Sequence, residues 1–180
     1  MITLVLGGTR SGKSRVAEDL VAGRQAATGD RVTYVATGRA TDADMAARIA
    51  AHRARRPAAW ATVETGAGAG TGADLPTVLA GLAGHVLVDS LGTWVAADAD
   101  LAPDAPALCA ALRARARAGA GDTVLVSEEV GLGVHPATEV GRRFADALGE
   151  LNRAVAEVAD RVLLVVAGRV LALDRLSGPG

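Results

Sequence analysis

Short apolar runs alternate with helix-forming segments along most of the chain. The runs are rich in Val, Leu and Ile and end at glycine or acidic residues, which is typical of buried strands. Strands that alternate with helices predict a mostly parallel sheet flanked by helices, and a short Gly-containing turn between the last two runs predicts a C-terminal antiparallel hairpin. The predicted strands are Ile2–Leu6, Arg31–Ala36, Val86–Asp89, Thr123–Val126, Val162–Val166 and Val170–Leu173.

The segments between these runs have helical spacing or helix-ending signals. The clearest begins at Pro136 and extends to about Asp160, where apolar residues recur every three or four positions on one face. No internal repeat or domain boundary interrupts the pattern, so residues 1–180 are predicted to form one α/β domain. The other predicted helices are Ser14–Ala27, Asp42–Arg55, Leu75–Leu82 and Ala107–Ala118, with Thr65–Asp74 and Ala96–Pro106 as loops.

Composition narrows the class of protein. The single cysteine, Cys109, excludes an internal disulfide framework, and the longest apolar runs fall far short of the roughly 20 residues that a membrane helix requires. A formal net charge of −1 offers no general attraction to nucleic acid or to acidic membranes. With no basic leader before the first strand, the expectation is a soluble, cytoplasmic protein.

A phosphate-binding loop follows the first predicted strand and leads into a helix. Its residues, Gly7-Gly8-Thr9-Arg10-Ser11-Gly12-Lys13-Ser14, match the pattern Gly-x-x-x-x-Gly-Lys-Ser, in which backbone N–H groups surround phosphate oxygens. Lys13 is the one lysine in a chain with 18 arginines, which favours a special role over a glycine-rich turn without a ligand. The pattern predicts that Lys13 reaches the β and γ phosphates and that Ser14 binds Mg²⁺.

A histidine lies among arginines near the end of the second predicted helix. Arg48 and His52 are four residues apart and therefore share a helix face, and Arg53, Arg55 and Arg56 follow. The cations suit a solvated helix C-terminus. Guanidinium groups also bind phosphate, and a neutral histidine beside an anion site is a nucleophile, so both interpretations remain open.

Three acidic residues lie at or just after the ends of predicted strands, at the sheet edge where ligands bind in α/β folds. Asp89 is expected to hold Mg²⁺ through water, or else to cap a helix that begins at Leu91. Glu128 and Glu129 either orient substrate or metal or form a solvated acidic pair.

The motifs together resemble the bifunctional adenosylcobinamide kinase/adenosylcobinamide-phosphate guanylyltransferase family. The resemblance covers nearly the whole chain and is weakest in the two predicted loops. The blocks that carry it are the phosphate loop, Tyr34-Val35-Ala36-Thr37, Asp44 to Ile49 with His52 and Arg56-Pro57-x-x-Trp60, and Val126 to Pro136, with Phe144 to Asn152 and Val165 to Gly168. The Val126 block is similar to a family segment with Asn-Glu-Val-Gly at its centre. The resemblance therefore favours Glu129 over Glu128 for an orienting role, and Ser127 is interpreted as standing in the place of the asparagine.

This resemblance implies a phosphate-loop α/β fold and two successive transfers. ATP or GTP phosphorylates the aminopropanol hydroxyl of adenosylcobinamide, and GTP then donates GMP to that phosphate through a GMP-histidine intermediate on His52. It also implies a homotrimer, while Mg²⁺ as cofactor is expected from the phosphate-loop pattern. Beyond the phosphate loop, the implied nucleotide-binding residues are Ala36, Thr37, Gly38, Arg53, Ala54, Arg55, Arg56, Glu64 and Asp89.

Other classes of protein fit the residues less well. A simple small-molecule kinase would use Lys13 and Asp89 in the same way but would give His52 no covalent role. A GTP-dependent switch reads guanine with an Asn-Lys-x-Asp motif, whereas the only lysine here is in the phosphate loop. A RecA-like ATPase acting on DNA would need a basic funnel or aromatic platform, which the charge balance and four aromatic residues do not supply.

Overall fold

The computed structural model describes residues 1–38, 47, 50, 53, 54, 56–65 and 74–175. Within these ranges one seven-stranded sheet has the order β3-β2-β4-β5-β1-β6-β7. The strands are β1 Ile2–Gly7, β2 Val32–Ala36, β3 Ala61–Glu64, β4 His85–Asp89, β5 Thr123–Glu128, β6 Arg161–Val166 and β7 Arg169–Ala172. The described helices are α1 Lys13–Thr28, α2 Leu75–Gly81, α3 Leu91–Ala97, α4 Ala105–Arg117 and α5 Glu139–Val158.

All strand pairs are parallel except the last. β1 lies between β5 and β6, and β4 lies between β2 and β5, each in parallel register. β7 pairs antiparallel with β6, which confirms the predicted C-terminal hairpin. Because the carboxyl ends of β1, β2, β4 and β5 meet at one edge, the segments that follow them are brought together there.

Each face of the sheet has its own apolar core. Along β1, Leu4 and Leu6 belong to one core and Val5 to the other, as expected for side chains that alternate across a strand. The first core is completed by apolar residues of α2 to α5, including Leu148 and Leu151 of α5. The second is covered by α1 and by the buried Trp60, whose indole N–H donates to Gln25 at 2.8 Å. The helices therefore cover both faces, as the alternation of elements predicts.

Several element boundaries differ from the sequence prediction. The long helix begins at Glu139 rather than Pro136, because the Thr138 side chain caps it by accepting from the Gly141 N–H. The edge strand β3 was not predicted, since its residues are mostly exposed and lack an apolar alternation. α3 begins at Leu91 and extends to Ala97, one residue beyond the predicted start of the loop at Ala96. The predicted helix Asp42–Arg55 lies mostly outside the described residues.

Candidate active site

The phosphate loop is held in a tight curve between β1 and α1. The Ser11 N–H donates to the Gly8 carbonyl at 3.2 Å, and Gly12 begins α1 with a φ of +94°, a conformation that favours glycine. Gly7 is required by close packing, because a Cβ there would lie 2.5 Å from Ser11 Oγ and 2.7 Å from the Val165 carbonyl oxygen. The Gly168 N–H, in the β6–β7 turn, donates to the Ser11 carbonyl at 2.8 Å and supports the loop from the side.

Lys13 lies over this loop. Its Nζ donates to the Gly8 carbonyl at 3.3 Å and lies 3.5 Å from Glu128 Oε1. The Lys13 side chain is only 11% exposed, whereas that of Glu128 is 28% exposed. Both contacts can be exchanged for phosphate oxygens, so the ammonium group is already positioned where a polyphosphate would need it.

Glu128 joins the phosphate loop to the segment after β4. Its Oε1 and Oε2 accept from Ser90 Oγ at 3.1 and 3.0 Å, and Oε2 also accepts from the Gly92 N–H at 3.1 Å. An ideal Cβ on Gly92 would lie 2.0 Å from Oε2, so a larger residue there would displace the carboxylate from this position. Three described donors therefore converge on one carboxylate that the sequence analysis did not favour.

Glu129 points elsewhere. Its backbone N–H donates to the Gly7 carbonyl at 3.1 Å, and its carboxylate accepts from the Gly131 N–H at 2.8 Å within its own loop. The acid that contacts Lys13 is thus Glu128, and an orienting role for Glu129 stays a prediction.

The prediction that Ser127 stands in the place of the family's asparagine is displaced by one residue. With Glu129-Val130-Gly131 aligned to the family's Glu-Val-Gly, the residue opposite its asparagine is Glu128, not Ser127. Ser127 is fully buried, and its hydroxyl donates to Asn152 Oδ1 at 2.5 Å. The Asn152 amide in turn donates to the Glu128 carbonyl at 3.0 Å, which ties α5 to the end of β5.

Asp89 ends β4 next to Ser90, and its Oδ2 accepts from the Tyr34 hydroxyl at 3.1 Å. Burial is the main cause that raises the pKa of Tyr34 well above its ordinary value. The negative charge of Asp89 raises that pKa further, against the opposing effect of Arg56. Tyr34 therefore stays protonated and remains a donor. The alternative in which Asp89 caps a helix is wrong, because Ser90 is the N-cap of α3 and accepts from the Thr93 N–H.

The end of β2 lies at the same edge as α3. The Thr37 hydroxyl is buried, donates to the Ser90 carbonyl at 2.6 Å and lies 2.7 Å from Thr93 Oγ1. A Cβ on Gly38 would meet Thr93 Cγ2 at 3.3 Å, so this backbone passes close to α3. Ala36, Thr37 and Gly38 thus lie beside the Asp89–Ser90 segment, and their contact with nucleotide stays a prediction.

The arginine-rich segment is described only in part. Arg53 Nη2 pairs with Glu64 Oε1 at 2.7 Å, but both side chains are more than half exposed, so the pair adds little stability. The Arg56 guanidinium lies 3.5 Å from the centroid of the Tyr34 ring, and through Tyr34 it is linked to Asp89. Ala54 is helical and exposed, whereas His52 and Arg55 lie outside the described residues.

The structure thus places Lys13, Asp89 and Glu128 at one sheet edge and adds three residues that the sequence analysis did not select. Tyr34 holds Asp89, and Ser90 and Gly92 hold Glu128. The signal in the sequence is weak: Tyr34 is the only tyrosine, and Ser90-Leu91-Gly92 directly follows the strand-terminal Asp89.

Comparison with known proteins shows to which family the chain belongs. A family model described as cobinamide kinase / cobinamide phosphate guanyltransferase matches residues 3–173. The chain belongs to this family. The resemblance noted from the sequence blocks is therefore confirmed, and the match spans both the phosphate loop and the C-terminal hairpin.

Three curated relatives align with this chain over nearly the whole length of both proteins. The bifunctional adenosylcobalamin biosynthesis protein CobP of Pseudomonas aeruginosa is 42% identical over 178 residues, covering 93% of this chain and 94% of the relative. Proteins named CobU, also described as bifunctional adenosylcobalamin biosynthesis proteins, are 37% identical in Salmonella typhimurium and 34% identical in Escherichia coli. Each of these two alignments covers 93% of this chain and 97% of the relative.

A solved structure shares the fold at low sequence identity. The flagellar accessory protein FlaH of Methanocaldococcus jannaschii matches with a TM-score of 0.52 and 14% identity, covering 94% of this chain and 74% of that chain. The predicted α/β class, with a mostly parallel sheet between helices, is confirmed. Among the helices that the structure describes, none has the length and apolar content of a membrane-spanning segment.

Proposed function

We propose that this chain is a bifunctional enzyme of cobalamin nucleotide-loop assembly. It phosphorylates adenosylcobinamide on its aminopropanol hydroxyl with ATP or GTP, and it then transfers GMP from GTP to the resulting phosphate. The observation that carries the proposal is the phosphate loop with Lys13 poised over it, at the edge shared with Asp89 and Glu128, in a chain of this family.

In the kinase step the phosphate loop binds the phosphates of the nucleotide. Backbone N–H groups of residues 8–14 and the N-terminus of α1 bind the phosphates, and Lys13 exchanges Gly8 O and Glu128 for the β and γ phosphate oxygens. The Ser14 hydroxyl and the Asp89 carboxylate supply the oxygen donors that suit Mg²⁺ held mainly by phosphate and water. When bound, Mg²⁺ neutralises charge that develops on the phosphates. Tyr34, by donating to Asp89, fixes the orientation of that carboxylate.

The second step needs a nucleophile, for which the resemblance points to His52. Its neutral ring nitrogen attacks the α-phosphorus of GTP and expels pyrophosphate. A phosphate oxygen of adenosylcobinamide phosphate then attacks the phosphorus of the GMP-histidine, which breaks the P–N bond and releases His52. Two displacements replace one difficult exchange between two anions. Arg53, Arg55 and Arg56 follow His52 directly and stabilise the charge of the nucleotide, with Ala36 to Gly38 and Glu64 as further contacts.

The proposal also covers where the corrinoid substrate binds and how many copies of the chain assemble. Adenosylcobinamide and its phosphate enter at the sheet edge that holds Lys13, and three copies of the chain form a homotrimer in the cytoplasm. Exposed apolar residues support an assembled state, because Leu132 and Val134 are 79% and 96% exposed and Val170 and Leu171 of β7 are at least half exposed. Light scattering after size exclusion measures the stoichiometry.

Intact-mass spectrometry tests the guanylyltransferase half. The protein is incubated with Mg²⁺ and GTP and kept mildly alkaline, because phosphoramidates survive base and are lost in acid. We expect an acid-labile mass gain of one GMP that disappears in His52→Ala. His135→Ala is the matched control, since His135 is an exposed loop histidine, and it should label like the wild type.

The kinase half is measured separately by chromatography of adenosylcobinamide after incubation with ATP or GTP. A protein that phosphorylates the corrinoid but never labels with GMP, although it binds GTP, is a simple kinase. That result would remove the covalent role of His52.

A further inference from the structure

We propose that Tyr34 is a positioning residue shared by both transfers: its ring supports the Arg56 guanidinium for GMP transfer, and its hydroxyl holds the Asp89 carboxylate for the Mg²⁺-bound nucleotide. The inference rests on the proposed function and deepens it, because it links the two steps through one buried side chain. Tyr34 is the only tyrosine in the chain and is 4% exposed.

The strand order places Tyr34 next to Asp89. β2 lies between β3 and β4, where Tyr34 is in register with Thr62 on one side and Leu87 on the other. Asp89 is two residues beyond Leu87, so these two side chains point to the same face of the sheet. The phenol reaches diagonally from β2 to β4, a distance that aromatic side chains span.

The hydroxyl contacts Asp89 from a ring that is fixed in the core. It donates to Asp89 Oδ2 at 3.1 Å, and Tyr34 packs in the apolar core that α1 covers. Because close packing holds the ring in place, the hydroxyl holds the carboxylate in one direction. Hydrogen bonds of this kind orient groups that hold a metal ion, and their loss typically weakens metal affinity or activity by about 10- to 100-fold.

The face of the same ring supports Arg56. The guanidinium carbon lies 3.5 Å from the ring centroid, in stacking contact, and Nη1 donates to Thr62 Oγ1 at 3.4 Å. A guanidinium that stacks with its face keeps its N–H groups in its own plane, and these donors suit the phosphate oxygens of a nucleotide. Arg56 lies four residues after His52, the nucleophile that the proposed GMP transfer requires.

Packing alone does not account for this residue. A phenylalanine would fill the same space in the core, whereas the tyrosine adds a hydroxyl that meets an acid at the end of β4. Arg56 and Asp89 both belong to the predicted nucleotide site and come from segments far apart in the chain. One side chain thus holds a cation and an anion of that site in defined positions.

Tyr34→Phe tests the hydroxyl, because this variant keeps the ring. The Kd of ADP is measured by calorimetry with EDTA and with Mg²⁺, and the ratio of the two values gives the contribution of the metal. We expect this ratio to fall by about 10-fold in Tyr34→Phe, whereas the Kd in EDTA should change less than about threefold. The rate of GMP labelling at saturating Mg²⁺ and GTP should also stay within about threefold of the wild type, since the ring still supports Arg56.

Arg56→Met and Tyr34→Leu test the ring. Arg56→Met should slow GMP labelling by at least about 10-fold and leave the contribution of Mg²⁺ to ADP binding unchanged. Arg117→Met, which removes an exposed arginine from α4, is the matched control and should label like the wild type. In the Tyr34→Leu background Arg56→Met should slow labelling less than about threefold, because the guanidinium has already lost its support. Circular dichroism and ADP binding in EDTA show whether each variant is folded, and Tyr34→Met, whose longer side chain fills more of the space, replaces a Leu variant that is not.

Four results would overturn the proposal. An unchanged Mg²⁺ contribution in Tyr34→Phe, or no Mg²⁺ contribution in the wild type, would show that the hydroxyl does not hold Asp89 for the metal. Equal weakening of ADP binding in Mg²⁺ and in EDTA by Tyr34→Phe would assign the hydroxyl to the fold alone. Labelling of Arg56→Met at the wild-type rate would exclude Arg56 from GMP transfer, and equal effects of Arg56→Met with and without the ring would show that Tyr34 does not support it.

Failure of the proposed function itself would look different. A wild-type protein that binds ADP but neither labels with GMP nor phosphorylates adenosylcobinamide would refute that function, and this measurement precedes all variants.

Discussion

Replacement of Arg115 by Met should destabilise the fold more than any nearby surface change. Arg115 lies on α4 and is 3% exposed, so it is an arginine inside the core, and burial lowers the pKa of its guanidinium. The guanidinium donates to the carbonyls of Leu79, Leu82 and Gly84, and its Nε donates to Thr123 Oγ1 at 3.2 Å. These hydrogen bonds therefore hold the end of α2 and the turn that leads into β4 against α4.

Methionine keeps much of the volume and helix propensity of arginine but donates no hydrogen bond. Each buried acceptor that loses its donor costs about 1–3 kcal/mol, and some of the carbonyls will regain water at the end of α2. We therefore expect the free energy of unfolding to fall by about 3–5 kcal/mol, a large part of the roughly 5–15 kcal/mol typical of a domain.

Urea unfolding followed by circular dichroism measures this difference. Arg117→Met is the control, because Arg117 lies on the same helix and is exposed, and its cost should stay within about 0.5 kcal/mol. Equal stabilities of the two variants, or a loss below about 1 kcal/mol in Arg115→Met, would refute the view that these hydrogen bonds stabilise the fold.

Two further substitutions test other parts of the structure. Gly92→Ala places a Cβ against Glu128 Oε2 and displaces that carboxylate, so we expect weaker nucleotide binding, whereas Gly149→Ala, at a helix position with open space, should leave nucleotide binding unchanged. A nucleotide Kd of Gly92→Ala equal to that of the wild type would contradict the close approach of the Glu128 carboxylate to Gly92. Asp122 is buried, which alone would raise its pKa, but the ammonium group of Met1 and the Arg24 guanidinium outweigh burial and hold the pKa below its ordinary value. Because the folded pKa is the lower one, this stabilisation is present above the unfolded pKa and is lost as the pH falls through the folded value. Asp122→Asn should therefore lower Tm at neutral pH, with a gap to wild type that narrows between about pH 5 and pH 3. Differential scanning calorimetry measures both Tm values over this pH range. A difference in Tm that stays constant would exclude the charge of Asp122 as its origin.

Boundaries of the elements show where tertiary contacts override the local pattern. The sequence predicts a strand only to Val126, since Ser127, Glu128 and Glu129 are poor strand formers. In the structure β5 continues to Glu128, because β1 pairs with it in parallel up to Gly7. β3 forms for the same reason: Ala61 to Glu64 pair with β2 although their own residues carry no alternation.

The chain by itself determined the features that depend on neighbouring residues. The spacing of the glycines around Lys13 specifies the curve of the phosphate loop, and the alternation of apolar runs with helices specifies a parallel α/β sheet. Both are local signals, because loop geometry and side-chain periodicity depend on residues only a few positions apart.

Only the tertiary structure decided which acid contacts Lys13. Glu128 and Glu129 are adjacent in sequence, yet successive side chains of an extended chain point in opposite directions, and only the register of β5 against β1 brings Glu128 to the lysine. The same holds for Tyr34, which contacts Asp89 because β2 and β4 are neighbours in the sheet. Contacts between residues far apart in the chain depend on the order of the strands and on the register in which they pair, and both involve segments that are well separated in sequence.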